Sequence, residues 1–143
     1  MNFSQYLKNE LVYLDGGLGT LLQARGLQPG EYPERWNVTH PDVIRDIHKS
    51  YYDAGSNVVC SNTFGANCLK FDDAELEQII CAGVQLAKNA RDKEKNGAPR
   101  FVALDMGPTG KMLKPFGDMA FEEAVSVFAK TVRMGAACGV DLI

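Results

Sequence analysis

The sequence has no run approaching the roughly 20 apolar residues that a membrane-spanning helix needs, and its first ten residues, MNFSQYLKNE, contain no apolar secretory core. It lacks strong charge of either sign: the net value is −3 over 143 residues. That excludes the broad basic surface of a nucleic-acid or anionic-membrane binder. Histidine occurs only twice, and the four cysteines, Cys60, Cys68, Cys81 and Cys138, form no CxxC and have no histidine at metal-ligand spacing. A cytoplasmic protein with four packing thiols and no metal site of its own is therefore expected. There is no low-complexity stretch and no Ser/Gly linker, so residues 1–143 are read as one structural unit.

What is present is an alternation. Leu11–Leu14 is a short apolar run ending at Asp15, Asn57–Ser61 a second, and Phe101–Leu104 a third ending at Asp105; Val140–Ile143 begins a fourth. Helical sequence lies between them. Leu18–Arg25 suits a short helix stopped by Gly26. Thr39, Pro41 and Asp42 offer a capping hydroxyl, a first-turn proline and an acid for a helix carrying Val43, Ile47, Tyr51 and Tyr52, which Gly55 ends. Asp72–Lys95 reads as a long helix closed by Asn96-Gly97, and Phe121–Cys138 as another, broken by Gly139. Between the first two helices, residues 28–40 read as a polar loop in which Trp36 packs, and His48 reads as a surface or edge residue. Apolar strands alternating with helices imply a parallel sheet covered by helices. Four such strands make either a compact α/β domain or about half of a (β/α)₈ barrel, which takes about 250 residues.

Each complete strand ends in polar residues and a glycine-containing loop: DGG at 15–17, SNTFG at 61–65 and DMGPTG at 105–110. In parallel α/β folds ligands bind at this end of the strands. The DGGLGT loop is not a dinucleotide fingerprint, because Leu22 stands where a third small residue is required, and the GK pair at 110–111 lacks Walker spacing and is followed by Met112. Asp15 with flanking glycines suits an amino acid instead: the carboxylate can hold an ammonium, and backbone N–H groups that no Cβ shields can hold a carboxylate. Asn62 and Thr63 could add neutral hydrogen bonds.

The segments LDGGLGT, PERWNVTHPDVIRDIHKSYYDAGSNVVCSNTFGAN and VALDMGPTGKML resemble the start of the homocysteine S-methyltransferase domain, and the likeness runs from about Leu11 to Ile143. The stretch is most similar to the methionine-synthase branch that takes its methyl group from cobalamin; the betaine-dependent branch resembles it less in the NTFGAN and GPTG loops. The resemblance implies the N-terminal half of a (β/α)₈ barrel, cut at its fourth strand, with homocysteine as substrate. It implies zinc bound by three cysteines that lie later in the barrel, so none of the four cysteines here is expected to be a ligand. It also implies methylcobalamin as methyl donor on another domain, and a glutamate partner of Asp15 beyond Ile143. Asp15, Gly16, Gly17 and Leu18 stand at the family's amino-acid clamp, with Asn62, Thr63 and Asp105 on the same face. No catalytic residue is assigned. The chain alone is expected to be inactive. It is expected to pair with a second copy or with a separate C-terminal half through open sheet edges, or, failing that, to act as a small amino-acid-binding module.

Overall fold

The computed structural model describes residues 2–92 and 97–143. Helix α1 (Phe3–Leu7), absent from the sequence reading, is started by a reciprocal capping box between Asn2 and Gln5. Then follow α2 (Gly19–Ala24), a 3-10 turn at Pro33–Arg35, α3 (Trp36–Thr39) and α4 (Pro41–Asp53). Strand β1 (Val58–Cys60), α5 (Asp73–Asp92), β2 (Phe101–Ala103) and α6 (Phe121–Ala137) complete the order.

β1 and β2 pair in parallel, Val58 opposite Phe101 and Cys60 opposite Ala103. The first and fourth expected strands are reduced to single parallel bridges, Leu14 to Val58 and Ala103 to Leu142. The four segments therefore run side by side in chain order, all parallel, as successive strands of a barrel do. The two outer ones are short because each has a strand neighbour on one side only, and an edge segment is held by half the ladder of an inner one.

The strand period of two separates the faces. Val59 and Val102 point to the helix layer, against Tyr52, Ala87 and Ala90. Val58, Phe101 and Ala103 point the other way, where Tyr6 and Phe3 of α1 pack on them; the Phe3 and Phe101 rings meet edge to face at 5.3 Å. So α1 covers the inner face where the strands begin, leaving their C-terminal ends for the site. On the outside, Leu22, Leu27, Trp36, Ile44 and Ile47 form one apolar cluster, and Leu76, Ile79, Ile80, Val84 and Leu104 another.

Several expectations are corrected. Residues 33–39 are helical rather than loop, and Thr39 does not cap α4: its hydroxyl donates back to the Arg35 carbonyl, inside the short helix it ends. His48 is not a surface residue but 1% exposed, on the side of α4 that also carries Ile44, Ile47 and Tyr52. Cys81 and Cys138 are not thiols but a disulfide, leaving Cys60 and Cys68 free. The packing of α5 on α6 brings the two Cα atoms to 5.4 Å, within bridging range; a sequence separation of 57 carries no trace of that contact. The Lys95 end of the long helix and Asn96 lie outside the described residues. Among the described residues, no helix is long and apolar enough to cross a membrane.

Candidate functional site

A cleft of about 330 Å³ opens at the C-terminal ends of the strand segments. Asp15, Gly16, Gly17, Leu18 and Gly19 line it from the first segment; Cys60, Ser61, Asn62 and Phe64 from the end of β1; Asp105 from the end of β2; and Pro33 and Glu34 from the 3-10 turn.

Asp15 is fixed at both ends of its residue. Its backbone N–H donates to the Val58 carbonyl at 3.0 Å, and its Oδ2 accepts the Cys60 N–H at 2.8 Å. The Cys60 thiol also hydrogen-bonds the Asp15 carboxylate. Burial raises the Asp15 pKa above the usual carboxylate value, against the lowering effect of the Cys60 bond. Asp105 is raised too, first by burial and next by the charge of Asp15. The Cys60 thiol, between these acids, is pushed up to about 12 by burial and by both carboxylates, so it stays a neutral thiol and not a nucleophile. Two half-buried acids facing one cleft, one of them raised by the charge of the other, suit a cation.

The glycines leave backbone donors bare. The N–H groups of Gly16, Gly17 and Leu18 donate to no acceptor among the described residues. The Gly17 carbonyl, by contrast, is held by the Tyr51 hydroxyl at 2.8 Å.

Of the other expected site residues, Asn62 lines the cleft, but its amide is already engaged. Nδ2 donates to the Pro33 carbonyl at 2.8 Å and to Asn37 Oδ1 at 2.9 Å. Thr63 is fully buried behind the lining, its hydroxyl on the Asp105 carbonyl at 2.9 Å and on Ser61 Oγ at 2.8 Å. It shapes the loop that carries Asp105 and offers nothing to a ligand. Glu34, which the sequence reading missed, is buried and accepts the Gly65 N–H through Oε1 at 2.6 Å; a Cβ at Gly65 would fall 2.6 Å from that oxygen. Phe64 was missed too. It is exposed on the rim and leans on Gly107, where a Cβ would come within 2.6 Å of the Phe64 carbonyl. Among the described residues, no group of three or more His, Cys, Asp or Glu is placed to hold a metal ion.

Parallel strand segments in chain order, helices outside, and an acid-lined cleft at the strand C-termini define part of a β/α-barrel domain, with the cleft at the end of the strands where such folds bind ligands. The chain belongs to the homocysteine S-methyltransferase family, whose pattern matches residues 12–143. Its fold is similar to the Escherichia coli homocysteine methyltransferase MmuM. The metallated form of that enzyme superposes with a TM-score of 0.81 at 24% identity over 96% of this chain and 55% of MmuM. The oxidised form gives 0.80 at 22% identity over 95% and 53%, and the apo form 0.76 at 26% identity over 95% and 49%. The chain thus spans about half the length of these structures.

Proposed function

We propose that this chain carries the amino-acid-recognition part of an enzyme that methylates the sulfur of homocysteine to give methionine. The observation that supports it is the meeting of Asp15, the bare amides of Gly16–Leu18 and Asp105 in one cleft, in a chain of this family. The Asp15 carboxylate, which lines the cleft, takes the substrate ammonium, and Asp105 adds a second negative charge nearby. The amides take the carboxylate. The homocysteine thiol gives its proton to solvent and its sulfur attacks the donor's methyl carbon; the new S–C bond forms as the donor–methyl bond breaks and its electron pair leaves with the donor. The resemblance to the cobalamin-dependent branch of the family suggests methylcobalamin, carried on another domain, as that donor. Zinc activation of the thiol does not fit the residues of this chain, which gather no ligand set among the described residues, and no step here is routed through it.

Asp15→Asn keeps the Cys60 bond but loses the charge. It is expected to weaken homocysteine binding by about 10- to 100-fold, the scale of a charge-assisted hydrogen bond, as read by calorimetric titration. Because both carboxylates titrate above their usual value, affinity should fall as pH drops through that raised range and hold steady above it. Equal binding by the Asn variant, or a wild-type chain that takes no homocysteine, would overturn the reading.

The edges support a second element of the proposal. Leu14 and Leu142 each bridge to one strand, while Leu11, Leu14 and Ile143 are 77%, 64% and 62% exposed. We propose that further parallel strands cover these edges, from the remainder of a barrel or from a second copy, since closure alone removes an edge. Sedimentation of this chain should show association that grows with concentration. A monomer at the highest soluble concentration would contradict pairing with a copy.

A further inference from the structure

We infer that Tyr51 is a positioning residue for substrate recognition: by holding the Gly17 carbonyl, its hydroxyl turns the Leu18 N–H into the cleft to meet the ligand's carboxylate. The inference rests on the clamp proposed above and adds a residue that does not line the cleft.

The Gly17 carbonyl can only accept, so Tyr51 donates the bond of 2.8 Å. The sole cis peptide among the described residues is Lys114-Pro115, so the Gly17–Leu18 peptide is trans. In a planar trans peptide the C=O and the following N–H point to opposite sides. Tyr51 stands on α4 and is not part of the cleft lining, whereas Gly17 and Leu18 line the cleft itself. Anchoring the carbonyl outward therefore commits the amide inward. The Leu18 N–H has no acceptor among the described residues, as expected of a donor reserved for a ligand.

Gly16 makes the arrangement possible. A Cβ there would lie 3.1 Å from the Tyr51 hydroxyl and 3.3 Å from its ring, so a side chain at residue 16 would push the tyrosine by a few tenths of an ångström away from the carbonyl it holds. Without the hydroxyl this glycine-rich peptide would be free to rotate, since glycine accepts both senses of φ, and the carboxylate would have to order it on binding.

The test compares L-homocysteine with 3-aminopropanethiol, which is homocysteine without its carboxylate, on the wild-type chain and on Tyr51→Phe, which keeps the ring and removes one oxygen. Wild type should prefer homocysteine, and Tyr51→Phe should cut that preference about five- to tenfold, the scale of one net hydrogen bond, while leaving the affinity for 3-aminopropanethiol unchanged. In the wild type, the Leu18 amide resonance should move with homocysteine and stay still with 3-aminopropanethiol, which keeps the question answerable if the variant folds poorly. An equal loss for both ligands, an undiminished preference in the variant, or a Leu18 amide indifferent to homocysteine would overturn the role of Tyr51. A wild type that binds both ligands equally would instead overturn the carboxylate clamp itself.

Discussion

Lowering the pH from 7 to 4 is expected to remove about 3 kcal/mol of folding stability through His48 alone, at about 1.4 kcal/mol for each unit by which its pKa is displaced. Burial lowers the His48 pKa from 6.5 to about 4. Both ring nitrogens are buried without a hydrogen-bond partner among the described residues, so nothing there compensates a charge. The sign follows from proton counting. Between pH 6.5 and 4 the unfolded chain binds a proton that the folded chain refuses. The neutral ring's contribution is therefore complete above pH 6.5 and lost as pH falls toward 4. Asp15 and Asp105 act in the opposite sense, because acids raised in the folded state are relieved by protonation, so the raw acid profile understates the histidine. Urea unfolding of wild type and His48→Leu at several pH values separates the two: the difference in stability between them should move by about 3 kcal/mol across that window. Parallel curves would mean that the ring is solvated or partnered.

Asn37→Ala should cost about 2–4 kcal/mol, a large share of the 5–15 kcal/mol by which a domain is ordinarily stable. The Asn37 amide is buried where three elements meet. Nδ2 donates to the Asn62 carbonyl at 2.8 Å and to the Ile79 carbonyl at 3.0 Å, and Oδ1 accepts from Asn62 at 2.9 Å. The amide fits only because α5 has Gly83 beneath it; a Cβ there would stand 2.6 Å from Nδ2. Removing the side chain leaves buried polar groups dry, which costs more than the bonds themselves contribute. Since Asn62 lines the cleft, the same variant should loosen that wall. A double-mutant cycle with Asn62→Ala should return a coupling above about 0.5 kcal/mol; additive losses would show that the two amides do not act as a unit.

Much of this arrangement can be traced in the amino-acid order, and the failures have physical causes. The strand–helix rhythm and the strand-end rule bring Asp15, the glycines and Asp105 to one place, because parallel strands must all end on the same side. Asn62 also reaches the cleft by that rule. The rule does not say that the Asn62 amide is consumed by Asn37 and Pro33, or that Thr63 turns inward to hold Ser61 and the Asp105 carbonyl. Glu34 escaped because a Pro/Gly-rich segment has no period, and only tertiary packing brings its carboxylate to Gly65. His48 is buried against the expectation from its residue type. Its place after Ile44 and Ile47 puts it on the buried stripe of α4, and spacing outweighed polarity there. The helix-to-helix cysteine contact depends on how α5 and α6 cross, which no local pattern encodes.

That covalent link divides the cleft in an unexpected way. Bonded to each other, Cys81 and Cys138 close the backbone between them into a ring, and β2 with Asp105 lies inside it. Asp15, the glycine loop and β1 lie on the linear chain outside. The two facing carboxylates thus belong to different topological parts of one polypeptide, and no covalent closure spans them. What keeps them at working separation is the short parallel ladder between Val58–Cys60 and Phe101–Ala103 and the side chains packed on it.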